Sequence, residues 1–137
     1  MNVKYAFIVS SGTAAIHLSF LSIGLKPKDE IIIPSYGYMA AANIAKLMNL
    51  KIKFVDVDRE SYCISLKNIK KAYTKKSKAV VTINTYGNVF EISEIKSWCK
   101  KKNISMGLVS SVAVSYTHLR AHETVLDLVC RLLIEKK

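Results

Sequence analysis

Two periods of hydrophobic and polar positions alternate along the chain. Short β-branched apolar runs bounded by turn residues are followed by stretches whose apolar residues recur every three or four positions. Residues 5–9 are the first such run and end in Ser10-Ser11-Gly12-Thr13, after which Ala14, Leu18, Leu21 and Leu25 take helical spacing. Pro27 and Lys28-Asp29 are expected to close that helix, and Glu30-Ile31-Ile32-Ile33-Pro34 predicts a buried strand stopped by proline. The pattern then predicts a helix over 39–49, a strand over 52–57, a loop over 58–65, a helix over 66–73 and a strand over 78–84. Beyond Tyr86-Gly87-Asn88, the spacing of Ile92, Ile95 and Cys99 sets a last helix that runs into Lys100-Lys101-Lys102-Asn103. Four strand-helix units in succession predict an α/β fold, a mainly parallel sheet with flanking helices. In such sheets ligands gather at the carboxyl ends of the strands.

Composition narrows the class. At 137 residues and 50% hydrophobic, with a mean hydropathy of +0.19, the chain can bury one core and is not of the disordered kind. The net charge of +11 carries little Arg: three of the 21 basic residues are arginines, at 59, 120 and 131. Readers of nucleic acid favour the bidentate Arg fork, so a Lys-rich and Arg-poor excess argues against a polyanionic partner. Cysteines at 63, 99 and 130 have no CxxC spacing, so a reduced, cytoplasmic setting is expected, without a metal or disulfide framework. Residues 5–25 are uncharged, but Ser, Thr, His and Gly dilute them too much for a membrane span.

The text changes at residue 114. The run Val114-Ser115-Tyr116-Thr117-His118-Leu119-Arg120-Ala121-His122-Glu123-Thr124 resembles the translation of a transposon sequencing adapter, and Leu128-Val129-Cys130-Arg131-Leu132-Leu133 resembles the flow-cell end of the same adapter. Residues 114–137 are therefore expected to stand outside the fold, and residues 1–113, which carry +10 of the charge, to be the natural segment. His118, His122 and Cys130 are accordingly not combined into a site.

Three constellations could carry chemistry. Ser10-Ser11-Gly12-Thr13 opens a helix directly after a strand, where free N–H groups and the positive dipole end attract an anion such as a phosphate. The same residue types also serve as ordinary N-caps. Pro34-Ser35-Tyr36-Gly37-Tyr38 puts two aromatics in the loop after the next strand, where a ring could stack on a planar cofactor or simply pack in the core. Phe54-Val55-Asp56-Val57-Asp58 puts acids where a strand leaves the sheet, better suited to capping the loop than to facing a ligand. His17 has no partner at metal-ligand spacing, the lysine runs fit solvated helix ends, and neither GxxxxGK[ST] nor GxGxxG occurs.

Taken in order, Val9 to Leu18, Asp29 to Tyr36, Phe54 to Asp58 and Thr85-Tyr86-Gly87-Asn88 resemble the DegT/DnrJ/StrS group of sugar aminotransferases, within the fold-type I pyridoxal-phosphate enzymes. The resemblance covers about residues 3 to 105 and implies part of the large domain of such a transferase. It implies pyridoxal 5'-phosphate as cofactor, an amino donor, usually glutamate, a nucleotide-linked keto sugar as acceptor, and a homodimer. By position, Ser11, Gly12 and Thr13 would bind the cofactor phosphate and Tyr38 would stack on the pyridine ring.

The departures from that family pattern matter equally. An acidic residue that would contact the pyridine nitrogen is expected after the last helix, where this chain reads Asn103-Ile104-Ser105-Met106-Gly107-Leu108-Val109-Ser110-Ser111. None of the lysines sits in the motif that forms the Schiff base. The chain is thus expected to be a cofactor-binding portion without catalytic residues, inactive as written. The competing reading is a small non-enzymatic α/β binding module.

Overall fold

The computed structural model describes residues 9–87, 91–110 and 133–134. Its elements are α1 (Gly12–Ser22), β1 (Glu30–Pro34), α2 (Ala40–Leu47), β2 (Lys51–Val55), α3 (Leu66–Ala72), β3 (Ser77–Asn84), a 3-10 turn at Thr85–Gly87, α4 (Ile92–Lys102), β4 (Ser105–Ser110) and β5 (Leu133–Ile134). The strands form one sheet in the order β2-β1-β3-β4-β5. β1 pairs parallel with β2 and β3, β3 pairs parallel with β4, and β5 runs antiparallel to β4. Helices α2, α3 and α4 are the crossovers that parallel pairing demands. The expected α/β architecture is observed. The first expected strand, residues 5–9, lies outside the described residues apart from Val9, and the fourth described parallel strand is β4.

β1 is buried at every position, as a strand covered on both faces must be. Ile31 and Ile33 face α1 and α2, in a cluster with Ile16, Phe20, Ala41, Ala45, Val81 and Ile83. Ile32 points the other way, toward Ile69 of α3 and Ile95 and Cys99 of α4. β3 repeats the alternation, with Ala79, Val81 and Ile83 on the first face and Val80 on the second. β2 lies at the sheet's edge, where Lys51 and Phe54 are exposed, and lysine on an edge discourages further pairing.

Helix α1 departs from expectation in the face it buries. Spacing selected Ala14, Leu18, Leu21 and Leu25, but the buried residues of the helix are Ala15, Ile16, Ser19 and Phe20. Leu18 and Leu21 remain about half exposed, at 51% and 53%. The apolar residues of the helix are spread around its circumference among Thr13, His17, Ser19 and Ser22, so periodicity alone has no preferred face to report. Ser19 tolerates burial because its hydroxyl donates to the Ile16 carbonyl at 2.7 Å. The helix also stops earlier than Pro27: it ends at Ser22, and Gly24 takes the left-handed conformation at φ 76° that a side chain would resist. Leu25 does join the core, beyond the helix.

The amino ends of three strands are tied together by one carboxylate. Glu30, only 8% exposed, opens β1. Its Oε1 accepts from the hydroxyls of Thr74 and Ser77, each at 2.5 Å. Lys53 of β2 lies 3.8 Å from its Oε2 and donates to the Ala72 carbonyl at the end of α3. Burial by itself would raise the Glu30 pKa, but the hydroxyls of Ser77 and Thr74 and the charges of Lys53 and Lys51 outweigh it, and the carboxyl lies below its ordinary value. Among the described residues no helix is long and apolar enough to cross a membrane.

Replacing Glu30 by Ala in this chain would leave the buried Ser77 hydroxyl and the half-buried Thr74 hydroxyl without this acceptor and should cost about 2–4 kcal/mol of unfolding free energy, measured by urea denaturation at pH 7. Because the folded carboxyl holds its proton less tightly than the unfolded one, the unfolded state binds more protons between the two pKa values. Wild-type stability should therefore fall as pH drops from the ordinary glutamate value, near 4.5, through the folded value. Glu30→Gln should flatten that part of the acid limb.

Candidate functional site

The connection from α1 into the start of β1 places the C-terminus of α1 at the amino edge of the sheet, so its N-terminus lies toward the carboxyl edge. Ser11 caps it: the residue is extended, and its Oγ accepts from the Ala14 N–H at 3.1 Å while its carbonyl accepts from Ala15 at 3.0 Å. The N–H groups of Gly12 and Thr13 stand ahead of the first helical bonds and have no protein acceptor among the described residues. Two open donors on an 11-residue helix, with no acidic residue in its first turn, suit an anion. Ser11 and the half-buried Gly12 and Thr13 thus stand together where the sequence puts them.

The loops that leave β1, β2 and β3 supply the other wall of this edge. Tyr38 follows β1 and is 62% exposed, its ring open to solvent. Tyr36, two residues earlier, turns instead toward Tyr86 beyond β3, and the two hydroxyls share a hydrogen bond of 2.7 Å. That bond, and the mutual repulsion of the two phenolates if ionised, hold the Tyr36 pKa above its usual value. Tyr62, in the loop after β2, completes a trio: its ring centroid lies 5.5 Å from that of Tyr36 and 6.1 Å from that of Tyr86, the latter pair perpendicular. Gly37 allows this arrangement. Its φ is 133°, and a Cβ there would stand 3.0 Å from the Ile83 Cδ1, so the loop rests directly on the end of β3.

Tyr62 and Tyr86 both hold φ near 55°, in the left-handed region that bulky residues avoid, at a cost on the order of 1–3 kcal/mol each. The sequence carries no sign of this, since neither residue is Gly or Asn. Asp58 supports the first of them, as the capping reading of the acids anticipates. Its Oδ1 accepts from the N–H groups of Glu60 and Ser61, both at 3.0 Å, and its carbonyl accepts from Tyr62. The backbone donors of Ser61 and Glu60 hold the Asp58 pKa below the ordinary carboxylate value. Asp56 is exposed, and its carbonyl accepts from the side-chain amide of Asn68.

Two polar atoms at the carboxyl end of β3 stay unpaired among the described residues, the Asn84 Oδ1 and the Thr85 Oγ1. Buried acceptors without donors are rare and mark this end as one built for further contacts. Cys99 belongs elsewhere. It lies in the core, and burial pushes its thiol up to about 11, which makes it a poor nucleophile. Open helix N–H donors, an exposed aromatic and orphaned acceptors on one sheet edge fit a phosphorylated planar cofactor at its phosphate and ring ends.

A parallel sheet with an anion-accepting helix N-terminus and an aromatic carboxyl edge defines a ligand-binding α/β unit, and comparison with known proteins gives its class. The sequence pattern of the DegT/DnrJ/EryC1/StrS aminotransferase family matches residues 1–117, and the chain belongs to that family. It is 35% identical over 103 residues to a GDP-perosamine synthase of Escherichia coli O157:H7, covering 75% of this chain and 28% of that protein. Among solved structures, GDP-4-keto-6-deoxymannose-3-dehydratase with a trapped PLP-glutamate geminal diamine superposes with a TM-score of 0.71 at 32% identity, covering 77% of this chain and 29% of the other. The Bacillus subtilis protein ntda with bound cofactor PMP gives a TM-score of 0.71 at 27% identity, over 75% and 24%. The chain thus spans under a third of the length of these relatives. The family match runs four residues past the expected boundary at 113, and of the segment after 113 the structure describes Leu133–Ile134, which pairs with β4.

The cap that Ser11 makes can be tested apart from an anion at the helix end. Ser11→Ala should lower the stability of this chain by about 1 kcal/mol in chemical denaturation, whereas Ser11→Asp should keep the cap and the stability but repel phosphate from the helix end.

Proposed function

We propose that this chain is the cofactor-binding portion of a pyridoxal-phosphate-dependent aminotransferase that moves an amino group from glutamate to a keto carbon of a nucleotide-linked sugar. The observation that carries the reading is the open N-terminus of α1 beside an exposed tyrosine at the same sheet edge. The N–H groups of Gly12 and Thr13, with the hydroxyls of Thr13 and Ser11, hold the phosphate, aided by the helix dipole. Tyr38 covers one face of the pyridine ring, fixes its plane and keeps water from that side. When bound, the cofactor supplies the carbonyl that exchanges amino groups and an electron-withdrawing ring.

The relatives' names support the substrate class. One makes GDP-perosamine and another acts on a GDP-linked keto sugar in the company of PLP and glutamate. Within this chain no lysine occupies the family's attachment motif and β4 contains no acid. We therefore assign catalysis to a longer protein that contains residues 1–113, working as a cytoplasmic homodimer, and none to this stretch alone.

In that longer protein, Thr13→Val and Tyr38→Ala should each weaken pyridoxal phosphate binding about tenfold, the equivalent of roughly 1.4 kcal/mol, in absorbance titrations of the apoprotein. A purified wild-type protein that takes up no cofactor would overturn the reading.

A further inference from the structure

The tyrosine trio is not used by the cofactor reading, which draws on Tyr38. Tyr36, Tyr62 and Tyr86 come from the carboxyl ends of β1, β2 and β3, three strands adjacent in the sheet. Despite their mutual contacts the rings are 42%, 44% and 59% exposed, so each keeps ring surface free. One pair is tilted by 41° and the other meets edge-on at 90°, so neither stacks face to face. Three such rings form a stacking surface for a flat group.

The hydroxyl pair adds polarity. In the bond between the Tyr36 and Tyr86 oxygens one phenol donates, and the other's proton remains free for an outside acceptor. The surface therefore offers ring faces and one O–H donor beside them. It is also held in place: the backbone of Gly37, next to Tyr36, rests against Ile83, the Asp58 turn holds Tyr62, and the two left-handed backbones keep Tyr62 and Tyr86 in one geometry.

We propose that Tyr36, Tyr62 and Tyr86 form a base-binding subsite that stacks the oxo-bearing base of a nucleotide and donates one phenolic hydrogen bond to its carbonyl oxygen. The choice of a nucleotide as occupant rests on the nucleotide-sugar reading above. The geometry itself favours a planar ring with an acceptor over a free sugar, which would ask for several polar partners around its rim. The phosphate-accepting end of α1 contributes none of the three rings.

Saturation-transfer NMR on the 137-residue chain, with guanosine, uridine and mannose offered separately, tests the assignment. Guanosine and uridine should show transfer to their base protons with millimolar affinity, and mannose should show none. Tyr62→Leu with Tyr36→Leu should abolish the signal. Tyr86→Phe, which keeps the ring and removes the hydroxyl, should weaken it about threefold to tenfold. Circular dichroism should be unchanged in each variant, since all three side chains are exposed. Transfer to mannose equal to that of the nucleosides, no transfer from either nucleoside, or a signal that survives the double replacement would each overturn the proposal. Pyridoxal phosphate uptake by the longer protein is measured independently, so loss of the base site and failure of the aminotransferase reading give different results.

Discussion

Ile31, Ile32 and Ile33 stand in sequence, and successive side chains on a strand point to opposite faces. All three can leave water only if their strand is covered above and below and paired on both edges. Each is worth about 1.5–3 kcal/mol when fully buried, so β1 cannot be an edge or a one-sided strand without a large loss. The sheet meets the demand with β2 and β3 flanking β1, α1 and α2 on one face, and α3 and α4 on the other. β2 and β3 both pair parallel to it, with α2 and α3 as the helical crossovers. Their loops then open at the same edge.

That constraint separates two kinds of chemistry. At the amino edge Glu30 gathers Thr74, Ser77 and Lys53, a set of bonds that is internally satisfied and fixes where β1, β2 and β3 begin. At the carboxyl edge the polar groups are open among the described residues: helix N–H donors, exposed phenols and the unpaired acceptors of Asn84 and Thr85. Strain lies on this side too, in the left-handed Tyr62 and Tyr86. One end of the sheet is finished, and the other is prepared for a ligand.

Most of the element order was legible because a strand buried on both faces and a helix with a strong apolar stripe leave unlike patterns. β3 begins and ends within a residue of the expected range, and α3 and α4 likewise. The face of α1 was not legible, since a helix whose apolar residues are spread around it reports no direction and its orientation comes from Ile31, Ile33 and α2. The start of α1 at Ser11, Gly12 and Thr13 was visible as a turn between two periods. Tyr62 was not. Its place depends on a side-chain turn at Asp58 and on partners contributed by other strands, and a left-handed tyrosine leaves no compositional mark. Tyr36 drew notice for its aromatic ring, but only the tertiary fold shows that it joins Tyr86, 50 residues away, rather than Tyr38.

The same topology places several of the lysines. Lys26 and Lys28 lie between α1 and β1, Lys75 and Lys76 between α3 and β3, and Lys100, Lys101 and Lys102 end α4. All these are places where a helix finishes and a strand begins, so they lie at the amino edge, where cations also complement the helix dipoles. Toward the carboxyl edge stand Asp56, Asp58, Glu60 and Glu91 with Arg59. A polyanion attracted by the charge would be drawn to the side without open ligand groups. An anion held at α1 must instead rely on backbone N–H groups and the dipole, which suits one phosphate in a fixed position better than a chain of them.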